Sequence, residues 1–426
     1  MLRRVITVVA VIVVAAAIGL FVGLQSYASR TPSRQGSRIG AQDFDLVAKG
    51  HYLVTLGDCE ACHTDPGQPG RPFAGGRPVE TPFGLILAAN ITPDRETGIG
   101  SWSDEEFDAA LRKGRRPDGS PLYPAMPYGS YAKMSKDDVR AIRAYLNTMK
   151  PIHNAVETNQ LPFPFSIRSG MWLWDALYYD GTTFTPDPDK SDAWNRGAFL
   201  VRGPGHCGVC HTPKTVLGGD DTSRRLQGAN LQGWFIPEIT SNKVRGIGSW
   251  SEADLVAYLK TGHNRATAAT GPMAEVVELS TSRMKDEDLR AIATYLKDQP
   301  GSSEDTPPPL SARDPQMVAG AAIYRDSCSA CHAPNGKGAP HLFPALAEAP
   351  NVRSRDATTL IRIVLQGTRS VATNAEPTAP AMPSYGWQLS DDQIAAVLTY
   401  IRNSWGAAAP PVKPEDVKSV RSGGEG

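Results

Sequence analysis

Residues 58–64 read DCEACHT, and 148 positions later residues 206–212 read HCGVCHT. A third form, SCSACHA, occupies residues 327–333. Each holds two cysteines three apart and a histidine directly after the second: Cys59, Cys62 and His63; Cys207, Cys210 and His211; Cys328, Cys331 and His332. The six cysteines of the chain are all used in this way. C-x-x-C-H is the spacing of c-type haem attachment, in which both thiols add across the haem vinyl groups and the adjacent imidazole reaches the iron. A zinc site would need two such pairs brought to one point, and a redox dithiol gives no reason for a histidine after every second cysteine. The motifs therefore predict three covalently bound haem c groups, attached through the six cysteines, with His63, His211 and His332 as axial ligands of iron.

The spacing extends well beyond the motif. GIGSWS occurs at residues 98–103 and again at 246–251, and Asn90-Ile91-Thr92 returns as Glu238-Ile239-Thr240, always at the same offset. This is an internal duplication, with SCSACHA marking a third, more diverged copy. The hexapeptide is a helix start: Ser103 is an N-cap with Glu106 three residues on, and Trp102 and Phe107 are placed for a hydrophobic staple. Trp250, Ser251, Asp254 and Leu255 repeat the pattern, and Gly114 and Gly262 stand where such helices stop. The last helix of each copy follows the same grammar. Ser135 precedes DDVRAIRAYL, flanked by Met134 and Val139, and Ser390 with Gln393 opens QIAAVLTYI between Leu389 and Ile394. In the second copy Met284 and Leu289 hold the staple positions, but Lys285 is a poor cap. Apolar residues recur at helical spacing through these runs.

The sixth iron ligand must be sought among nine methionines, most of which fill cores. Met134, Met284 and Leu389 are equivalent positions, and an iron ligand would not be replaced by leucine, so they are packing residues. Met126 in YPAMPYG, Met273 in TGPMAEV and Met382 in APAMPSYG stand in matching loops before the last helix. The adjacent proline restricts the backbone there, and these three are the predicted axial ligands. Met273 is followed by Ala274 instead of proline. The competing ligand in that copy, His263, aligns with Arg115. His51, His153, His206 and His341 have no counterparts and are assigned to no iron. An axial methionine raises the reduction potential, and a filled sixth position leaves no room for peroxide or oxygen. That favours an electron carrier over a peroxidase-type enzyme, and a haem-based sensor would need an output domain that the sequence lacks.

A length of 426 residues permits about three domains, and Lys plus Arg balance Asp plus Glu at 44 each, without the basic bias of a nucleic-acid binder. Near the start, Arg3 and Arg4 precede an apolar run over residues 5–24. As a helix that run would rise roughly 30 Å, enough to cross a bilayer core, and it exceeds the apolar part of most signal peptides. Ser26-Tyr27-Ala28 nevertheless offers small residues to a signal peptidase, so retained anchor and cleaved signal both stand. Haem c is attached outside the bacterial inner membrane, which puts the body on its periplasmic face.

The segments GDCEACHT, PFAGGRPVETPFG, NITPDRETGIGSWS, LYPAMPYGSY, AWNRGAFLVRGPGHCGVCHTP and GTRSVATNAEPTAPAMPSYG together resemble the three-haem cytochrome c subunit of membrane-bound bacterial dehydrogenases, which act on alcohols, aldehydes, gluconate and related sugars. The match runs from about residue 42 to 405. The resemblance implies an all-α chain of three tandem class I cytochrome c domains behind an N-terminal apolar signal or anchor helix. It also implies transfer of electrons from a separate catalytic subunit, of flavin, PQQ or molybdenum type, to ubiquinone at the inner membrane. A soluble cytochrome or terminal oxidase as acceptor, and a molybdenum hydroxylase as partner, are the alternatives. The expected division is a signal or anchor at 1–30, cytochrome domains at 42–150, 191–299 and 315–406, an aromatic and proline-rich linker at 151–190, a proline-rich spacer at 300–314, and a disordered tail at 407–426. In the linker, Trp172, Trp174, Tyr178 and Tyr179 read as interdomain packing, with a bilayer-surface or quinone contact as the other reading.

Overall fold

The computed structural model describes residues 43–303 and 305–423. The segment expected as signal or anchor lies outside them. Among the described residues no helix is long and apolar enough to cross a membrane.

Each copy is built on two crossing helices. Phe44–Leu56 packs on Lys136–Leu146, Asp192–Arg202 on Asp286–Lys297, and Pro315–Ile323 on Asp391–Arg402. A glycine stands at each crossing. A Cβ added to Gly50, Gly197 or Gly320 would collide with the carbonyl oxygen of Ala141, Ala291 or Ala396 respectively, beside Tyr145, Tyr295 and Tyr400. Only a residue without a side chain lets the two backbones approach so closely. Most buried apolar side chains of the first two copies form one cluster, the third copy has its own, and Ala269 and Val277 of the second copy pack with Val371 of the third.

The helix starts obey the local grammar. Ser103 with Glu106, Ser251 with Asp254, Ser135 with Asp138 and Ser390 with Gln393 each make the reciprocal pair of side-chain to backbone hydrogen bonds, which satisfies otherwise orphaned N–H groups. Lys285 provides no such cap. Gly114 and Gly262 close the middle helices in the left-handed region. Met134, Met284 and Leu389 are buried in the cores. Met284→Leu should therefore cost less than about 1.5 kcal/mol in denaturant unfolding and leave the iron ligation spectrum unchanged; loss of a sixth ligand in that variant would show that Met284 is not a packing residue.

Two expectations need correcting. The chain is not all-α. Pro78–Thr81 and Gly84–Leu87 form an antiparallel hairpin that Asn159–Gln160 extends, Ala229–Leu231 pairs with Trp234–Ile236, and Thr368–Arg369 pairs with Ala381–Met382. The reason is local turn chemistry. Gln232 and Gly233 both have positive φ, the geometry of a two-residue hairpin turn that matches strand twist. The tail is not disordered throughout: Pro414–Arg421 is a helix whose Val417 and Val420 are buried in the third core.

Candidate haem-binding sites

Each C-x-x-C-H motif is a short helical turn, Cys59–His63, Cys207–His211 and Ser329–His332, entered from the first helix of its copy. Asp58 and His206, the residues before the first cysteine, are left-handed at φ 47 and 36°. These values are uncommon for non-glycine residues and mark a strained entry. The third copy enters through a π-helical turn, Tyr324–Cys328.

The three histidines are held alike. His63 Nδ1 lies 2.7 Å from the Ala89 carbonyl oxygen, His211 Nδ1 2.8 Å from that of Pro237, and His332 Nδ1 3.0 Å from that of Pro344. A carbonyl can only accept, so Nδ1–H donates and Nε2 carries the lone pair. Burial lowers the pKa of all three imidazoles and favours the neutral form. Neutral imidazole with Nδ1 locked and Nε2 free is what axial ligation of iron requires. The six cysteines are free thiols. Burial pushes Cys59 and Cys207 up to about 12, Cys62 and Cys328 up to about 11, and Cys210 upward. Zinc would demand thiolates, and among the described residues no cluster of three or more His, Cys, Asp and Glu side chains could hold a metal ion.

The third set comes together in one cleft. Cys328, Cys331, His332 and Met382 line it with Phe343, Leu360, Val364, Leu398 and Ile401, around about 1290 Å³ of atom-free space including the open mouth. Two thiols, an imidazole and a thioether on mostly apolar walls fit a flat hydrophobic macrocycle carrying iron. In the first set, Cys59 and Met126 pack against the same apolar cluster, which also takes in Cys207. Met273 does not join Cys207 there. It is the second residue of the helix Pro272–Leu279 and packs with Ala269, Val277 and Val371. His263, the competitor, faces the third copy, with Nδ1 3.3 Å from Glu376 Oε2. Its equivalent Arg115 ties to Asp175 of the linker at 2.7 Å, so this position joins each copy to the segment beyond it.

Several site residues escaped the sequence reading. His206 Nε2–H donates to the Gly57 carbonyl at 3.2 Å, and the Tyr131 hydroxyl donates to the same oxygen at 3.0 Å. The first two motifs are thus joined directly. Asp58 sits at this junction with Oδ1 buried and without a hydrogen-bond partner. Burial and then Glu275 push its carboxyl up to about 7, against the nearby Arg77. The available signal was positional: Asp58 and His206 are equivalent residues preceding an attachment cysteine. On the far side, Thr267, Ala268 and Thr270 of the second copy line the third cleft.

The cytochrome c family matches residues 317–405. Over nearly the whole chain the sequence is similar to three curated proteins. It is 39% identical to the gluconate 2-dehydrogenase cytochrome c subunit of Pantoea cypripedii, covering 88% of this chain and 89% of that protein. It is also 39% identical to the cytochrome c subunit of the alcohol dehydrogenase (quinone) of Gluconobacter oxydans, covering 90% and 84%. With the fructose dehydrogenase cytochrome subunit of Gluconobacter japonicus it shares 38%, covering 89% and 83%.

Proposed function

The chain belongs to the cytochrome c subunits of dehydrogenase complexes, and from that premise we propose that it carries electrons over three haem c groups from a catalytic subunit to ubiquinone, at the periplasmic face of the inner membrane. The substrate oxidised by the partner is an alcohol, an aldehyde, gluconate or a related sugar. The observation that carries this reading is the threefold recurrence of a histidine with its Nδ1 locked on a backbone carbonyl directly after a paired-cysteine turn. The names of the relatives support the substrate class, and one of them names quinone.

A haem c held at each motif supplies one-electron oxidation and reduction. The chain's own residues do the rest. Cys59 and Cys62, Cys207 and Cys210, and Cys328 and Cys331 would fix the group in place. His63, His211 and His332 would offer Nε2 to iron, and Met126 and Met382 would be the thioether ligands at the first and third sites, with Met273 assigned to the second by its place in the repeat although it packs with Ala269, Val277 and Val371. The mostly apolar walls of the third cleft would lower the polarity around the group, one of the ways a polypeptide sets its potential. Substrate oxidation is assigned to the partner, whose cofactor is flavin, PQQ or molybdenum. The Gly57–His206 contact joins the first and second motifs, and residues 267–270 reach the third cleft, which supports a route through the middle copy.

Purified alone, the chain should turn over no ethanol, acetaldehyde, gluconate or fructose. Assembled with its catalytic subunit, it should be reduced when the substrate is added, and a soluble quinone analogue should be reduced in turn. Substrate oxidation by the isolated haem-loaded chain would overturn the assignment. So would a complex that turns over substrate while this chain stays oxidised.

A further inference from the structure

We propose that the strap between the first two copies is a membrane-contact surface, which seats residues 163–177 and the 215–218 loop in the headgroup layer of an anionic bilayer. The inference rests on the membrane-face location proposed above and names the part of the chain that makes the contact.

The helix Met171–Tyr178 is turned inside out for a helix in water. Its one charged residue, Asp175, is buried, where Arg115 Nη2 and the Tyr128 hydroxyl bind it at 2.7 Å each. Its outward side carries Trp172, Leu173 at 68% exposure and Leu177 at 57%. A water-facing helix should show the reverse arrangement. The loop at Val216, 97% exposed, with Leu217 beside it, adds to this surface, and Phe163 in the same strap is 81% exposed. The Val216–Leu217 tip is tied to the helix, because Trp174 Nε1–H donates to the Leu217 carbonyl at 3.0 Å and Tyr178 and Thr215 share a hydroxyl contact of 3.0 Å. Five exposed apolar side chains, Trp172, Leu173, Leu177, Val216 and Leu217, thus stand on two segments that hydrogen bonds hold together, which marks an interaction site.

Two observations favour a bilayer as the occupant. Leu173, Leu177 and Val216 are each more than half open to solvent on a helix and a loop, and fluid lipid closes around such side chains without a preformed matching pocket. The flank has a small cationic excess. Arg115 lies over the Trp172 ring at 4.0 Å and Arg168 over Tyr123 at 4.8 Å. Arg112, Lys113 and Arg115 line a surface cavity of about 380 Å³ with Tyr179. Asp108 is bound to Arg112 and Asp175 to Arg115, which leaves Lys113, Arg116 and Arg168 against Asp118 and Glu157. Trp, Phe and Leu on a face with a basic edge fit the boundary of an anionic membrane.

The test uses the full, haem-loaded chain in vesicles of phosphatidylethanolamine and phosphatidylglycerol that contain a photoactivatable phosphatidylglycerol. After illumination, mass spectrometry should find lipid adducts on the peptides spanning 163–177 and 214–219. In a Leu173→Lys, Leu177→Lys double variant those adducts should fall about tenfold, with the haem spectrum and electron uptake from the catalytic subunit unchanged. Wild-type adducts confined to other peptides would overturn the proposal. It would equally be overturned if these adducts vanish once the catalytic subunit is assembled, which would make the strap a subunit-docking face. If electron uptake fails while the adducts persist, the electron-transfer reading falls and the contact surface stands.

Discussion

Gly197→Ala should unfold the second copy at a denaturant concentration far below that of the parent protein. The added Cβ would meet the backbone carbonyl of Ala291 and approach the Tyr295 Cβ to 2.8 Å. Neither obstacle is the far end of a flexible side chain, so the two helices must separate. Separation strips contacts from Leu200, Leu289 and Ile292, which the two helices bury in the core cluster. Overpacking against a rigid neighbour is at the costly end of core substitutions, on the order of 3 kcal/mol here. Gly50→Ala and Gly320→Ala should behave alike, since the same geometry recurs at Ala141 and Ala396. Gly129→Ala is the control, because a Cβ there meets nothing within 4 Å. Losses below about 1 kcal/mol at all three crossings, read from chemical denaturation, would mean that the helices do not cross as closely as described.

Those crossings show what the sequence could and could not reveal. The capping boxes at Ser103, Ser135, Ser251 and Ser390 were legible because cap and partner lie three residues apart and the bonds are local. The attachment motifs were legible for the same reason. Gly50 was not, because its meaning lies in Ala141, distant in sequence and adjacent only after folding. The hairpin at Gln232–Gly233 was hidden by the shortness of its strands, three residues each, inside a domain expected to be all-α. The helix Pro414–Arg421 was hidden because two valines suffice to dock it, too few to produce a visible period. Met273 had the right place in the repeat, but its proline precedes it and starts a helix instead of holding a loop, so the middle set departs from the pattern of the other two.

Destroying one attachment motif should remove one haem and leave the others. In a Cys328→Ser, Cys331→Ser double variant neither thioether can form, and only His332 and Met382 remain to hold the group in a cleft that is open at its mouth. The third copy keeps its own apolar core, whereas the first two share theirs. Loss at the third site should therefore spare the first two, and matured protein should fall from three covalent haems to two. The same change at Cys207 and Cys210 should also disturb the first copy, because His206 bonds to Gly57 beside the first motif.

The direct measurement is the covalent haem content of the unmodified, fully matured chain, taken as pyridine haemochrome per mole of polypeptide together with the intact mass. Six thiols in three paired turns, each backed by a locked histidine, predict three haems per chain. Two or fewer would contradict the reading of the repeated motif on which the rest depends.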